Sequence, residues 1–318
     1  MQVATGAVWT SELSRGVSPK PDIRRAETLS AIFALIALAA VTVPIVTEQS
    51  TDGAHSDRAA GSAQSSSSST TSGSELMFAG YGGVPYTYPS DVSVKKPGVH
   101  DFTAKDVQWD GKPFVNPIYY GARIVRFGAG ARIGTMLDFT HSKTLARLDE
   151  DTAFTGTLNG APAPERARLR DIFRKLEASH GHNMLTLNGL IRLAGLPRVQ
   201  PYVGLGAGVT LPHSEVQFAK SETRTYEYQV AGAVAQALVG IELRTERVSY
   251  FFEYKFTFAP YTMPLSERDG AWLPLDLWSQ LKNWFSGTEP PSGRLTTTLA
   301  SHQGIFGLGI RSAPAAAP

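Results

Sequence analysis

Cysteine is absent from the 318 residues of this chain, and that absence excludes disulfides, thiolate metal sites and cysteine nucleophiles. Charged residues are scarce as well, at 18% of the chain against about 25% in an average protein. The net charge of +2 identifies no partner, and we expect no nucleic-acid partner. The HExxH zinc motif, the GxSxG nucleophile elbow and the glycine-rich dinucleotide loop are all missing. Any chemistry must therefore depend on residues that the fold brings together.

Short turns and long loops alternate after residue 75. Segments of alternating apolar and polar residues are joined by short connections at residues 127–131, 195–198 and 245–248. Between these segments lie long polar excursions at residues 87–116, 143–182, 214–226 and 262–293. The order strand, short turn, strand, long loop is typical of an up-and-down outer-membrane β-barrel, with its turns in the periplasm and its loops outside the cell.

The strand segments carry a period of two. In the run RVQPYVGLGAGVTL at residues 198–211, apolar side chains share one parity, and tyrosine, glycine and threonine share the other. Side chains alternate across a strand, so in a membrane barrel the apolar set faces lipid and the other set fills the lumen. About eight such strands of about ten residues fit between residues 75 and 311. We predict an all-β fold, an eight-stranded antiparallel transmembrane barrel over residues 75–311, with a lumen filled by side chains rather than a pore.

The N-terminal part of the sequence predicts targeting rather than fold. Residues 29–46 form an uncharged apolar run of 18 residues, which is either the core of a signal peptide or a membrane-anchoring helix. We favour a cleaved signal peptide over an anchor for residues 1–46, because a helix fixed in the inner membrane could not easily accompany a barrel into the outer one. The serine-rich composition of residues 47–74 predicts a disordered linker. Residues 312–318 are expected to be a disordered tail.

Several lumen-facing positions of the predicted strands carry charge. We expect these residues to support the lumen structurally by pairing with one another, because an unpaired charge there would be costly. This set comprises Arg123, Arg192, Glu253 and Lys255.

Two excursions carry helical patterns, so short helices are expected in the extracellular loops. Residues 164–181 begin with proline, end with glycine and place a basic face opposite an apolar one. That basic face would suit anionic lipid head groups, with an ordinary solvated surface as the alternative, and it comprises Arg166, Arg170, Arg174 and Lys175. Residues 274–287 form a tryptophan-rich amphipathic pattern, which predicts a helix in the membrane interface or, equally, one packed over the barrel mouth.

Most histidines map to one end of the predicted barrel. Following strand direction, we expect Asp138, His141, His213 and Glu215 to meet at the extracellular mouth as a catalytic cluster. Histidines and carboxylates together can ligate a transition metal or act as general acids and bases. The candidate metal ligands are His141, His180, His182, His213 and Glu215. The alternative interpretation is that these residues are polar surface and loop anchors.

A series of segments resembles the outer-membrane lipid A oxidase family over about residues 75–311. They are YPSDVSVKKPG, FTAKDVQWDGKPF, PIYYGARIVRF, LDFTHSK, LTLNGLIRL, PYVGLGAGVTLPHSEVQ, TYEYQVAG and FFEYKFTF, in this order. The resemblance implies oxidation of the proximal glucosamine of lipid A to an aminogluconate unit, with molecular oxygen as co-substrate and hydrogen peroxide as by-product. It also implies dependence on a divalent metal ion.

From the resemblance and the barrel together we expect a monomeric protein of the Gram-negative outer membrane. Its expected partners are lipid A or lipopolysaccharide, the outer membrane itself and the barrel assembly machinery. Two other functions stay open: a non-enzymatic structural or adhesive barrel, and a lipid A deacylase.

Overall fold

The computed structural model describes residues 74–270 and 272–312. The predicted signal or anchor segment, the linker and the tail lie outside these residues, apart from positions 74 and 312 at their edges. Within the described ranges, no helix is long and apolar enough to cross a bilayer.

Strands dominate the described residues, which form sixteen strands and one α-helix. In chain order they are β1 (Glu75–Thr87), β2 (Ser90–Lys96), β3 (His100–Val107), β4 (Trp109–Asp110), β5 (Tyr120–Phe127), β6 (Ile133–Ala146), β7 (Asp151–Leu158), β8 (Ala161–Pro162), β9 (Arg166–Arg168), β10 (Phe173–Arg192), β11 (Val199–Thr210), β12 (His213–Phe218), β13 (Thr225–Tyr228), β14 (Gly232–Arg244), β15 (Val248–Pro264), α1 (Leu273–Ser286) and β16 (Arg294–Arg311).

Eight of these strands close into a ring. Each pairs antiparallel with the next in the order β1, β5, β6, β10, β11, β14, β15 and β16. The ring is completed by β16 pairing with β1, from Met77 opposite Arg311 to Thr87 opposite Ser301. The three short connections lie at the same end of the barrel as both chain ends of the ring, as the sequence predicts. The eight-stranded up-and-down barrel is therefore confirmed.

The two faces of the barrel wall differ as the period of two predicts. The outward positions leave large apolar side chains exposed, for example Leu205 at 73% and Phe252 at 55%. We call this outward set the apolar belt; it includes Phe78, Ile124, Ile133, Leu137, Ile191, Leu205, Val239, Ile241, Phe252, Phe306, Leu308 and Ile310. A closed barrel with such a belt has no free strand edge and offers its apolar surface to lipid.

The lumen is filled by alternating apolar and polar groups of side chains. A lower apolar core contains Met136, Leu190 and Phe251 among others. A layer of buried charged and polar side chains lies above it, and a second apolar core, with Phe102 and Phe173 at its centre, occupies the upper part. Side chains pack this lumen, as expected for a barrel of eight strands.

The long excursions are mostly strands rather than loops. The upper part of β16 pairs with β2, and the sheet continues through β3 and β7 to β8. On another side β12 pairs with the upper part of β10, and β13 pairs with β12. These strands therefore extend the barrel wall beyond the apolar belt, on the extracellular side, and surround the upper core. We call this part the extracellular extension.

The helix predicted at residues 164–181 is wrong. This segment forms β9, a single 3-10 turn at Leu169–Asp171 and the first half of β10. The strand register shifts at a bulge between Phe173 and Lys175, so Phe173 and Leu176 both point into the core. The bulge produces the same apolar spacing of three that a helix would show. The other predicted helix is confirmed as α1, with proline in its first turn and Gly287 as its left-handed C-cap.

Candidate functional site

Strand parity divides the predicted catalytic cluster between two faces of the wall. Asp138 and His141 lie on β6 three residues apart, so their side chains point to opposite sides. Asp138 faces the lumen and is fully buried, whereas His141 lies against Tyr120 on the outer face. His141 therefore shares the outer face of the wall with His213 and Glu215, and Asp138 lies on the inner face.

The lumenal polar layer is a balanced ion-pair network. Arg123 donates two hydrogen bonds to the Glu253 carboxylate, at 2.8 and 3.0 Å, and one to Oδ1 of Asp138 at 3.2 Å. Lys255 donates to Oδ2 of Asp138 at 2.6 Å, and the Tyr81 hydroxyl donates to Oδ1 at 3.0 Å. Two positive and two negative groups thus neutralise one another. Arg123, Glu253 and Lys255 all take part in this arrangement, and it occupies Asp138 fully.

Arg192 lies lower in the lumen, at the end with the short turns. Its guanidinium group donates to Glu75 at 2.6 and 3.1 Å and stacks 3.6 Å from the centre of the Phe127 ring. Arg244 also donates to Glu75, at 2.6 Å. Arg192 therefore closes the bottom of the lumen rather than joining the network around Asp138.

His182 lies on the opposite face from His141, and the strand irregularity between Ala178 and His182 also separates it from His180. It pairs with Ser142 across the strands and is fully buried, and its Nδ1 atom is hydrogen-bonded to the Tyr261 hydroxyl. Its side chain belongs to the upper interior of the barrel.

The remaining histidines lie among tyrosines on the outer face of β5, β6, β10, β12 and β13. We call this the His–Tyr surface; it consists of Tyr120, His141, His180, His213, Tyr226 and Tyr228. It lies at the boundary between the apolar belt and the extracellular extension of the barrel wall.

His141 forms one end of the His–Tyr surface. Its ring stacks on Tyr120, with the ring centres 4.6 Å apart. Its Nδ1 atom lies 2.8 Å from Oδ1 of Asn183, whose amide donates to the Leu211 carbonyl oxygen at 3.1 Å. The backbone of Gly181 (φ +139°) packs closely against the Asn183 side chain, because a Cβ at this position would lie 2.5 Å from Nδ2 of Asn183. The Asn183 contact fixes the imidazole and leaves Nε2 without a hydrogen-bond partner in the described residues.

His213 forms the other end. Its ring lies edge-on to Tyr226 and Tyr228, at 4.3 and 4.5 Å between ring centres, and 5.3 Å from the His180 ring. Burial lowers the pKa of His213, and the positive charge of a protonated His180 lowers it further. A neutral imidazole is therefore favoured, with Nδ1 free of hydrogen bonds to any described residue. Such a group can accept a proton.

Glu215 lies next to a second carboxylate. It is directly opposite Glu177 across β10 and β12, and Arg224 donates to its Oε1 at 3.2 Å. Burial raises the pKa of Glu215; Lys175, 4.0 Å away, opposes this shift, and Glu177 adds to it. The pair of carboxylates can share a proton in the way that closely spaced carboxylates do.

The four basic residues predicted to bind a head group do not form one surface. Arg166 is paired with Asp151 at 2.7 Å and Arg170 with Asp149, both in exposed positions. Arg174 donates to the Ala219 carbonyl oxygen at 3.3 Å. Lys175 alone joins the candidate site, through Glu177 and Glu215.

The candidate metal ligands do not come together as a site for the divalent ion that the resemblance implies. In residues 74–270 and 272–312, no group of three or more His, Asp or Glu side chains is placed to hold a metal ion. His182 faces the interior, and His141 is held by Asn183. The described residues do not fit a three-ligand centre, and no reaction step is derived through a metal.

Comparison with known proteins finds distant similarity among solved structures. No family model matches the chain, and no curated protein matches it. Among solved structures, the crystal structure of the outer membrane protein OprG from Pseudomonas aeruginosa matches with a TM-score of 0.31 and 11% identity, over 76% of this chain and 97% of that chain. A likeness at this level carries no information about activity.

The fold itself defines the class. A closed antiparallel ring of eight strands, an outward apolar belt and a side-chain-filled lumen make this protein a transmembrane β-barrel of the Gram-negative outer membrane.

The tyrosines of the His–Tyr surface and Asn183 were not predicted as site residues. Tyr120 shares its parity with the belt, and the run TYEYQ places Tyr226 and Tyr228 on one face of a strand. Their parity could have been read from the sequence. Their contact with His213 depends on the pairing of β12 with β13, which no local pattern reveals.

Proposed function

We propose that this barrel is a lipid A oxidase whose reaction takes place at the His–Tyr surface. The observation that carries the proposal is the position of this surface: it is on the outer face of the wall, beside the apolar belt. A lipid A molecule in the outer leaflet can reach the outer face by lateral diffusion, whereas the lumen is closed by packed side chains. His141 (4% exposed) and His213 (2% exposed) lie beneath the tyrosine rings of this face, so the proposed reaction requires those rings to move aside. The sequence segments that resemble lipid A oxidases include the strands that build this surface.

Charges near the His–Tyr surface suit an anionic glycolipid. Lys175 and Arg224 lie beside Glu215, and each is partly exposed. Each basic group near an anionic membrane surface contributes on the order of 1 kcal/mol. The phosphates of lipid A are the anionic groups at this depth of the outer leaflet, and they are the proposed contacts of these two side chains.

The proposed substrate is lipid A whose C1 hydroxyl carries no phosphate, and the proposed reaction converts this terminal hemiacetal of the proximal glucosamine to a carboxylate. The C1–H bond and the C1 hydroxyl O–H bond break, and molecular oxygen takes up two electrons and two protons to become hydrogen peroxide. Hydrolysis of the resulting lactone gives the aminogluconate. His213, kept neutral by burial, is the proposed acceptor of the hydroxyl proton, and His141 is the second proposed base.

Mass spectrometry of lipid A tests the proposal. Outer membranes containing the wild-type barrel should convert part of their lipid A to a form that has gained one oxygen atom. His213→Gln should reduce the conversion at least tenfold, within the range typical of removing a general base. His302→Gln is the matched control, because His302 is also on the outer face but is held between Tyr88 and Tyr254.

Unchanged lipid A, from a barrel shown to be inserted and heat-modifiable on gels, would refute the oxidase proposal. Loss of an acyl chain would instead identify a deacylase. A non-enzymatic barrel is the second candidate, favoured by the lack of a three-ligand metal site among the described residues, and it predicts no change in lipid A at all.

A further inference from the structure

The helix α1 is oriented with its polar side toward the protein. Asp276 is 2% exposed and accepts a hydrogen bond from the Tyr228 amide at 3.1 Å. Gln280 makes two hydrogen bonds to the backbone of Val230, one from the Val230 amide at 2.8 Å and one to its carbonyl oxygen at 2.9 Å. These contacts come from the first two turns, so polar groups fix the helix to the barrel.

The apolar side of α1 is consequently left without a protein partner in the described residues. Trp278 is 62% exposed, Trp284 75% and Phe285 77%. The full exposed set is Trp272, Leu275, Trp278, Leu281, Trp284 and Phe285. A surface helix of a water-soluble protein has the reverse arrangement, with its apolar stripe facing the core. A set of this size needs an apolar environment to cover it.

The position of α1 next to the apolar belt indicates which environment this is. Val230, whose backbone holds Gln280, is 45% exposed and lies two residues before β14. The outward residues of β14 include Val239 and Ile241 of the apolar belt. The exposed face of α1 is therefore continuous with a surface that already lies in lipid. Lys282, the basic residue of the helix, is exposed, as suits an anionic head-group layer.

We propose that α1 is an interfacial helix of the barrel, inserted into the outer leaflet with its three tryptophans among the lipid chains and its polar side bonded to β13 and the start of β14. Tryptophan is enriched where a helix lies at the boundary of head groups and chains, because its ring is apolar and its N–H is polar. The proposal does not depend on the oxidase activity.

Depth-dependent quenching of tryptophan fluorescence tests this assignment. The full chain is reconstituted into vesicles of phosphatidylcholine brominated either near the head-group end or near the methyl end of its acyl chains. The triple variant W272F/W278F/W284F is the matched control, since it keeps Trp9 and Trp109 and the ring apolarity of the helix. Wild-type fluorescence should fall at least twofold more with the shallow bromines than with the deep ones, and this difference should vanish in the variant.

Two outcomes would overturn the proposal. Equal, weak quenching in wild type and variant would show that the tryptophans do not reach lipid. If iodide in the water then quenched the wild type strongly, the helix would stand in solvent. If neither quencher acted and cross-linking gave dimers, a second copy of the chain would cover the helix.

Discussion

The lumenal network makes a quantitative prediction about Lys255. Its Nζ atom lies 2.6 Å from Asp138 Oδ2 and 3.1 Å from both the Tyr81 hydroxyl and Thr140 Oγ1, in a position with no exposed area. Lys255→Met keeps most of the volume and removes the charge. The network then changes from two positive and two negative groups to an excess of one buried negative charge.

The expected cost follows from that imbalance. Removing one partner of a buried ion pair typically costs about 3–5 kcal/mol, because the other charge is left uncompensated. The double variant Lys255→Met, Asp138→Asn restores neutrality around Arg123 and Glu253. It should recover at least about 1 kcal/mol of the loss, within the range of coupling between contacting residues.

Urea unfolding of the barrel refolded into lipid vesicles measures these free energies. Tryptophan fluorescence reports the transition, and an unchanged slope with urea shows that the surface exposed on unfolding is the same. A single variant within about 0.5 kcal/mol of wild type, the usual range of a surface substitution, would refute the reasoning. It would mean that the polar layer is hydrated and that its charges do not need one another.

Two further predictions concern packing and pH. Gly121→Ala would place a Cβ 1.9 Å from Cζ of Tyr81, whose ring is held in the network, and should cost about 1–3 kcal/mol in urea unfolding; Gly304→Ala, with nothing within 4 Å, should cost nothing comparable. Burial lowers the pKa of His213 below its usual 6.5, so its contribution to stability is present above pH 6.5 and is lost as the pH falls through the lower folded-state value. Urea midpoints from pH 8 to pH 4 should therefore fall more steeply for wild type than for His213→Gln. Parallel profiles would contradict this, and the comparison cancels the opposite effect of Glu215, whose pKa is raised.

The sequence was sufficient for the barrel because each strand repeats a period of two. The alternation between Ile124 and Arg123, or between Phe252 and Glu253, correctly assigns lipid and lumen faces. The same alternation could have separated Asp138 from His141, which lie an odd number of residues apart. Their similar position along the barrel axis does not put them on the same face.

Two features could not be predicted from local pattern. The bulge at Phe173 and Lys175 makes a strand imitate helical spacing, and a bulge is revealed only by the register of the paired strand. The contact of His213 with Tyr226 and Tyr228 requires β12 and β13 to fold back on β10. Such pairing is a property of the tertiary structure.

The central claim is that the His–Tyr surface faces lipopolysaccharide. A photo-reactive phenylalanine analogue placed at Tyr226 in living cells tests it directly, with Tyr250 as the control. Tyr250 is also outward-facing, but it lies beside the short turn between β14 and β15, at the other end of the barrel. The account predicts cross-linking to lipopolysaccharide from position 226 and to phospholipid alone from position 250. Lipopolysaccharide captured equally at both positions, or at neither, would contradict it.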